Sequence, residues 1–247
     1  MKKDLIHDHL DYLRLEYVQK EHRNLAQQAA REQWSHGDYL NRLMEGEVSQ
    51  RQQRALELRL RKARFPFRRT LEQYQWTWPR KINQMAVRQL FTLKFMEDHN
   101  NVVFMGSVGL GKTHLAVAVG LEACQAGHSV LYVPAIQVIN ELLVAQKGHR
   151  LRKTMKKYAG VDLLILDEIG YLPIDKAGAD LLYQVLAERY EKASTVLTTN
   201  RAYKEWVQIF NNDATMTSAL LDRLLHHVET IVIEGRSYRS REHTETP

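Results

Sequence analysis

Gly106, Gly111, Lys112 and Thr113 fall at the spacing G-x-x-x-x-G-K-[ST], a pattern whose chemistry can be stated before any fold is assumed. Along Gly106-Ser107-Val108-Gly109-Leu110-Gly111-Lys112-Thr113 the glycines let successive backbone N–H groups converge on phosphate oxygens. Lys112 then reaches the β- and γ-phosphates, and the Thr113 hydroxyl can hold Mg²⁺. The apolar run Val102-Val103-Phe104-Met105 enters this loop and a helical pattern, Lys112–Ala126, leaves it. A strand therefore delivers the loop to a helix N-terminus, where orphan N–H groups and the helix dipole favour an anion. The expected ligand is ATP or GTP with Mg²⁺.

A second group lies downstream. Leu163-Leu164-Ile165-Leu166 reads as a buried strand, and Asp167-Glu168 follow it. In an open α/β sheet ligands bind beyond the carboxyl ends of the strands. Asp167 is then placed for the magnesium shell and Glu168 for orienting and polarising the water that attacks the γ-phosphate. Asn200, after the strand Val196-Leu197-Thr198-Thr199, has two open readings: a sensor of the γ-phosphate, or the N-cap of a helix starting near Tyr203. Arg223, on a helix ending Leu224-Leu225-His226-His227, is either a surface cation or an arginine finger for a neighbouring subunit's site. His226 and His227 are adjacent on that helix, so they are expected to point apart and to serve packing or solvent, not a metal.

The elements that must position these groups divide the chain. Residues 1–75 read as a small all-helical domain, with Leu10, Leu13, Tyr17 and Val18 at helical spacing and a break at Ser35-His36-Gly37-Asp38, where Asp38 is available as N-cap. Around Leu56, Leu58 and Leu60 helix and strand both fit. Phe65-Pro66-Phe67 ends the helical region, and the stretch through Trp76-Thr77-Trp78-Pro79 reads as a linker. In residues 76–247 strands are expected at 101–105, 129–133, 162–166, 195–199 and 228–233. Helices are expected near 83–98, 112–126, 135–146, 149–158, 177–192, 203–209 and 215–227. That alternation predicts an α/β fold, a parallel sheet sandwiched by helices.

Composition agrees with a soluble globular protein: of 247 residues, 44% are hydrophobic and 26% charged. No apolar run is long enough for a bilayer, so no membrane association is expected. The Met1-Lys2-Lys3-Asp4 start lacks a secretory core, and the one cysteine, Cys124, allows no internal disulfide, which together suggest a cytoplasmic protein. Cys124 is expected to fill core space. A net charge of +6 suggests an acidic partner.

Taken together, Gly106–His114, Leu163–Tyr171 (LLILDEIGY), Thr198–Asn200, Leu220–His226 (LLDRLLH) and Gly235-Arg236-Ser237-Tyr238-Arg239 resemble the IstB transposition-helper ATPases, members of the AAA+ class related to DnaC helicase loaders. The likeness covers about residues 80–241. It implies ATP as the nucleotide, Glu168 for hydrolysis, Asn200 as sensor 1 and Arg223 as the finger. It also implies homo-oligomers, as rings or helices on double-stranded DNA, that present a target to an IstA-type transposase. The chain departs from general AAA+ design in leaving no room after the last strand for a full C-terminal lid. The sensor-2 role is then left to Arg236, Arg239 or a neighbouring subunit.

Two basic clusters are the candidates for DNA. Arg51 to Arg69 holds eight cations against the single acid Glu57, among them Arg61, Lys62, Arg64, Arg68 and Arg69. Such a run is either a solvated face or a phosphate-tracking surface. Arg150, Arg152, Lys153, Lys156 and Lys157 form the second, with the three lysines on one helix face by spacing. Phosphate contacts carry affinity without sequence reading. Three other functions compete: a helicase loader, a non-hydrolysing adaptor and a small-molecule kinase, the last disfavoured because an Asp-Glu pair favours water as acceptor.

Overall fold

The computed structural model describes residues 5–78, 80–171 and 173–238. Its chain divides into two compact units between Leu58 and Arg59. The sequence places that boundary seventeen residues later, at 75/76. The shift has a physical cause: residues 59–75 are tied into the second unit by their own side chains. Arg59 Nε donates to the Cys124 carbonyl at 2.8 Å, and the Tyr74 hydroxyl donates to the Leu110 carbonyl at 3.1 Å. The expected linker is part of a folded unit.

In the first unit, α1 (Leu5–Tyr12), α2 (Glu16–Glu32) and α3 (His36–Ala63, which runs past the division) meet over Leu10, Val18 and Leu43. Leu56, Leu58 and Leu60 are all helical, closing the helix-or-strand question. Helix α2 has no side-chain cap of its own, and its orphan donors are met from across the unit. The Glu47 carboxylate, 4% exposed, accepts the N–H groups of Tyr17 and Val18 at 2.8 and 3.3 Å. The cap of α3 is Ser35 and not Asp38. Ser35 Oγ accepts the Asp38 N–H at 3.1 Å while the Asp38 carboxylate accepts the Ser35 N–H at 3.3 Å. This reciprocal pair is a capping box in which Asp38 holds the third helical position.

In the second unit the β-branched and leucine-rich runs become β1 (Asn101–Gly106), β2 (Val130–Pro134), β3 (Leu163–Ile169), β4 (Ser194–Thr199) and β5 (Val228–Ile233). They form a wholly parallel sheet in the order β2-β3-β4-β1-β5, with Val103 opposite Leu197 on one side and Thr230 on the other. Both faces are covered by helices, which is why the inner strands are apolar along their length rather than alternating. Helix α6 (Lys112–Gln125) is buried almost all round, with Cys124 among its fully buried residues. Burial pushes the Cys124 thiol up to about 11. On one side α7 (Ala135–Lys147), α8 (Leu151–Ala159), α9 (Lys176–Arg189), α10 (Trp206–Ile209) and α11 (Ala214–Leu225) share a core around Leu142, Leu182, Trp206, Phe210 and Leu220.

The helix expected at 83–98 is two pieces, α4 (Gln84–Leu90) and α5 (Lys94–Glu97), because Leu93 takes a left-handed φ of +59°. No helix among the described residues is long and apolar enough to cross a membrane.

One buried cation stands apart from any ligand site. Arg189, 1% exposed, donates to the carbonyls of Tyr158, Ala159, Val161 and Ser194 and to Thr195 Oγ1. It closes the turn between α8 and β3 with carbonyl oxygens instead of a carboxylate. Burial pulls its pKa down to about 10, so it remains cationic at neutral pH.

Candidate nucleotide site

The loop between β1 and α6 needs left-handed backbone at Gly109 (φ +81°) and Gly111 (φ +83°), a region side chains other than glycine rarely occupy. These glycines also permit close approach. A Cβ on Gly109 would collide with Ser237 Oγ, and one on Gly111 would meet the Tyr74 ring at 2.7 Å. Lys112 Nζ folds back to the Ser107 carbonyl at 2.8 Å. It thereby closes the loop over the space its backbone surrounds.

Asp167 lies on the last turns of β3 and is 4% exposed. Three hydroxyls converge on its carboxylate: Thr113 Oγ1 at 3.0 and 3.2 Å, Tyr132 at 2.6 Å and Thr198 Oγ1 at 2.5 Å. Three donors fix the direction of this buried carboxylate. Burial, and then the facing Asp167 carboxylate, push the Tyr132 hydroxyl well above the usual phenol range, so it remains a donor.

Glu168 is adjacent yet exposed. The register between β3 and β4 slips between Leu166 and Ile169, and Glu168 adopts φ +62° within that bulge. Its N–H is held by Thr198 Oγ1 at 2.9 Å. A left-handed glutamate costs on the order of 1–3 kcal/mol, and such strain persists where surrounding structure enforces it. Here it turns the second carboxylate out of the core. The strand ends three residues later than the sequence predicts, at Ile169 and not Leu166, so the two acids lie among its final residues, not after them.

A cavity of about 560 Å³ joins these groups, lined by Val108–Thr113, Asp167, Glu168 and Asn200. Its volume is within the range for small-molecule sites. Gly106 and Ser107 form the loop's entry and stand outside the lining. Asn200 is exposed on this cavity, and the short helical turn after it is capped by Ala202, whose N–H meets Glu205 at 2.8 Å. The N-cap reading of Asn200 therefore falls away.

The opposite wall is aromatic, and the sequence did not point to it. Tyr74, Trp78 and Tyr238 line the cavity, with Trp78 and Tyr238 edge to face at 5.4 Å between ring centres. The Tyr238 N–H donates to the Gly109 carbonyl at 2.9 Å, and Trp78 Nε1 donates to the Arg236 carbonyl at 2.9 Å. Burial raises the Tyr74 hydroxyl to about 12. The signal for this wall, aromatics spaced through residues 65–78, was visible but looked like a linker because no periodicity organises it. Thr198 and Tyr132 were hidden for a different reason. Each sits in a strand, and only the parallel register brings them to Asp167.

Other expected residues are dispersed. Arg223 stands at the far edge of the sheet: Asn101, at the start of β1, donates to the carbonyl of Leu224 at 3.3 Å. Its guanidinium lies over the Tyr183 ring at 4.8 Å. Arg69 lines the nucleotide cavity, while Arg61, Lys62, Arg64 and Arg68 are exposed. Arg150, Arg152, Lys153 and Lys156 are exposed along α8, but Lys157 is not on their face. It pairs with Glu141 on α7 at 2.5 Å, because the apolar side of α8 turns it toward that helix. Arg236 is exposed and outside the cavity lining, and Arg239 lies outside the described residues.

A family model described as IstB-like ATP binding protein matches residues 8–246. The chain belongs to that family. The ATP-binding protein of insertion sequence IS21 from Pseudomonas aeruginosa is 40% identical over 233 residues, 94% of this chain and 88% of that protein. The corresponding protein of IS5376 from Geobacillus stearothermophilus is 34% identical over 240 residues, 97% of this chain and 95% of its own. Among solved structures the DnaC helicase loader has the same fold, with TM-score 0.54 at 22% identity over 67% of this chain and 96% of that one. Fold and family together give a P-loop sheet of AAA+ type carrying the ATP-binding signature of insertion-sequence proteins. The resemblance carried by LLILDEIGY, LLDRLLH and the glycine loop is correct at the level of family.

Proposed function

We propose that this IstB-family chain is an ATPase whose turnover controls its assembly as a homo-oligomer on double-stranded DNA, and that the assembled form presents the DNA to an IstA-type transposase. The observation that carries the reading is the pairing of a fixed, buried Asp167 with a strained, exposed Glu168 on one cavity. A site that only held nucleotide would have no use for the second carboxylate.

The donor set suits Mg²⁺, since Thr113 and Asp167 offer oxygens only, 3.0 Å apart. When bound, the ion neutralises charge on the phosphate oxygens. The loop N–H groups from Gly106 to Thr113 hold the β-phosphate region, and Lys112 leaves the Ser107 carbonyl to meet the γ-phosphate. Glu168 takes a proton from water as the water oxygen bonds to the γ-phosphorus and the bond to the bridging oxygen breaks. Asn200 orients that water or the γ-phosphate. Arg223 cannot serve its own cleft from the far sheet edge, so a neighbouring copy receives it. Two clusters are proposed for backbone phosphates: Arg150, Arg152, Lys153 and Lys156, and Arg61, Lys62, Arg64 and Arg68. Such contacts give little base preference. The buried lone thiol of Cys124 suits a reducing cytoplasm.

Electron microscopy of the protein with and without duplex DNA and a slowly hydrolysed ATP analogue tests this. Rings or helical filaments that need both ligands are expected; an unchanged monomer would overturn the proposal. DNA affinity should also fall with salt, by about 0.9 in log K per neutralised phosphate for each tenfold rise.

A further inference from the structure

His226 and His227 do not diverge as neighbours on a helix should. Helix α11 ends at Leu225, and His226 and His227 sit on the exit from the helix rather than within it. Their rings stand edge to face with 4.1 Å between centres. Glu191 reaches the same place from the end of α9, where Tyr190 is extended and Glu191 takes φ +56°. One ligand atom from each of Glu191, His226 and His227 lies within 4.8 Å of the others, and all three residues are exposed.

We propose that these three side chains form a site for a zinc-class divalent ion, distinct from the magnesium position in the nucleotide cleft. Two imidazoles and a carboxylate are the donors borderline metals take, and three protein ligands leave a fourth position to water. Bonds of about 2.0–2.1 Å around a tetrahedral ion put its ligands about 3.4 Å apart. Exposed side chains need close by only an ångström or so to reach that.

The surroundings favour binding over mere proximity. His226 Nδ1 is 3.0 Å from the Tyr190 hydroxyl. In the tautomer whose Nδ1–H donates to that oxygen, Nε2 carries the lone pair for the metal, and the ring is already oriented. The backbones are pinned as well. The His226 N–H bonds the Asp222 carbonyl at 3.1 Å, and the His227 carbonyl accepts from the Asn101 N–H at 2.7 Å. A bound ion would fasten the end of α9 to the end of α11, one helical turn from Arg223. It would stiffen the element that carries the proposed finger.

Untagged protein, stripped with chelator and saturated with Mg²⁺, is titrated with Zn²⁺ by calorimetry and with Co²⁺ by visible absorption. One equivalent per chain at micromolar affinity or tighter is expected, with Co²⁺ d–d bands of four-coordinate intensity. The variants His227→Ala and Glu191→Gln should each weaken Zn²⁺ at least tenfold, since each removes one of three direct ligands and loss of an orienting partner alone costs about 10–100-fold. His226→Gln should abolish the Co²⁺ bands. Circular dichroism confirms that each variant is folded. Wild-type protein that takes up no Zn²⁺, or variants that bind it as the wild type does, would overturn the site; the second result would assign the ion to other histidines among the eleven in the chain. None of these readouts depends on turnover, so failure here and failure of the ATPase reading are separable.

Discussion

The two edges of the sheet are built by opposite strategies. At the carboxyl edge, Asp167 is buried and held by three hydroxyls, and the glycine loop is braced by Tyr74 and by the Ser237–Tyr238 segment. At the amino edge, Arg223 lies over Tyr183 beside exposed histidines, with no ion-pair partner among the described residues. A preorganised edge suits a ligand that arrives alone in solution, because the ordering entropy is met at folding. A half-buried cation stacked on an aromatic ring near a helix end suits a partner that arrives already folded. On the proposed function each edge would supply half of a site, and a copy set against another would join the halves.

The largest effect expected is therefore at the edge that looks less like an active site. Arg223→Ala should reduce ATP turnover by about 10³-fold or more, the range known for arginine fingers, with nucleotide affinity nearly unchanged. The decisive measurement is a mixture. Glu168→Gln protein still carries Arg223, and Arg223→Ala protein still carries Glu168. If the halves meet between copies, two inactive preparations together should recover part of the wild-type rate, and no recovery would remove Arg223 from the nucleotide site. Glu168→Gln alone should lose about 10²–10⁴-fold, the usual reach of a general base, while ATP binding measured by fluorescent-analogue displacement persists.

The same contrast explains what could be read from the sequence. The carboxyl edge was legible because its chemistry is carried by contiguous residues: Gly106–Thr113 on one loop and Asp167-Glu168 on one strand end. All five strands were placed within a few residues, since buried parallel strands are continuous apolar runs. Tyr132 and Thr198 were illegible because they act through register, which no single segment contains. The boundary at Leu58/Arg59 was missed because Arg59 and Tyr74 bond to the carbonyls of Cys124 and Leu110, 65 and 36 residues further along the chain, contacts that no local period announces. The expectation that His226 and His227 point apart failed on geometry, since their rings stand 4.1 Å apart between centres. Adjacent side chains diverge inside a helix, but the helix stops at Leu225.

Preorganisation at Asp167 can be reduced in steps. Tyr132→Phe removes one of the three donors and leaves the ring. Deleting a hydrogen bond to a charged, buried acceptor should cost about 1.5–3 kcal/mol if nothing replaces it. Chemical denaturation of the nucleotide-free protein reads that loss. Added ATP and Mg²⁺ should raise the stability of both proteins by similar amounts and leave the difference standing, because binding to the native state adds the same linkage term wherever the affinities match. A variant as stable as the wild type would mean that Thr113 and Thr198 alone fix the carboxylate.

The smallest effect concerns α7 and α8, where Lys157 departs from the cations proposed for DNA. Partial burial pushes the Glu141 carboxyl up, but hydrogen bonds from Lys157, Tyr158 and Gln137 outweigh it and hold the group at about 2, against 4.5 for an ordinary glutamate. A carboxyl with a lowered folded-state pKa binds fewer protons folded than unfolded. Its contribution is fully present above about pH 4.5 and is lost as pH falls toward 2. Glu141 and Lys157 are each about one-third exposed, so solvent screens the pair and the effect on stability is modest. Glu141→Gln should flatten the acid limb of the melting-temperature profile between pH 5 and pH 2 while leaving DNA affinity unchanged. Lys153→Ala, by contrast, should leave that limb intact and reduce the salt slope of DNA binding by about one. If Lys157→Ala changed the salt slope as Lys153→Ala does, the two lysines would share one task after all, and the division of α8 into a buried and a DNA-facing side would fail.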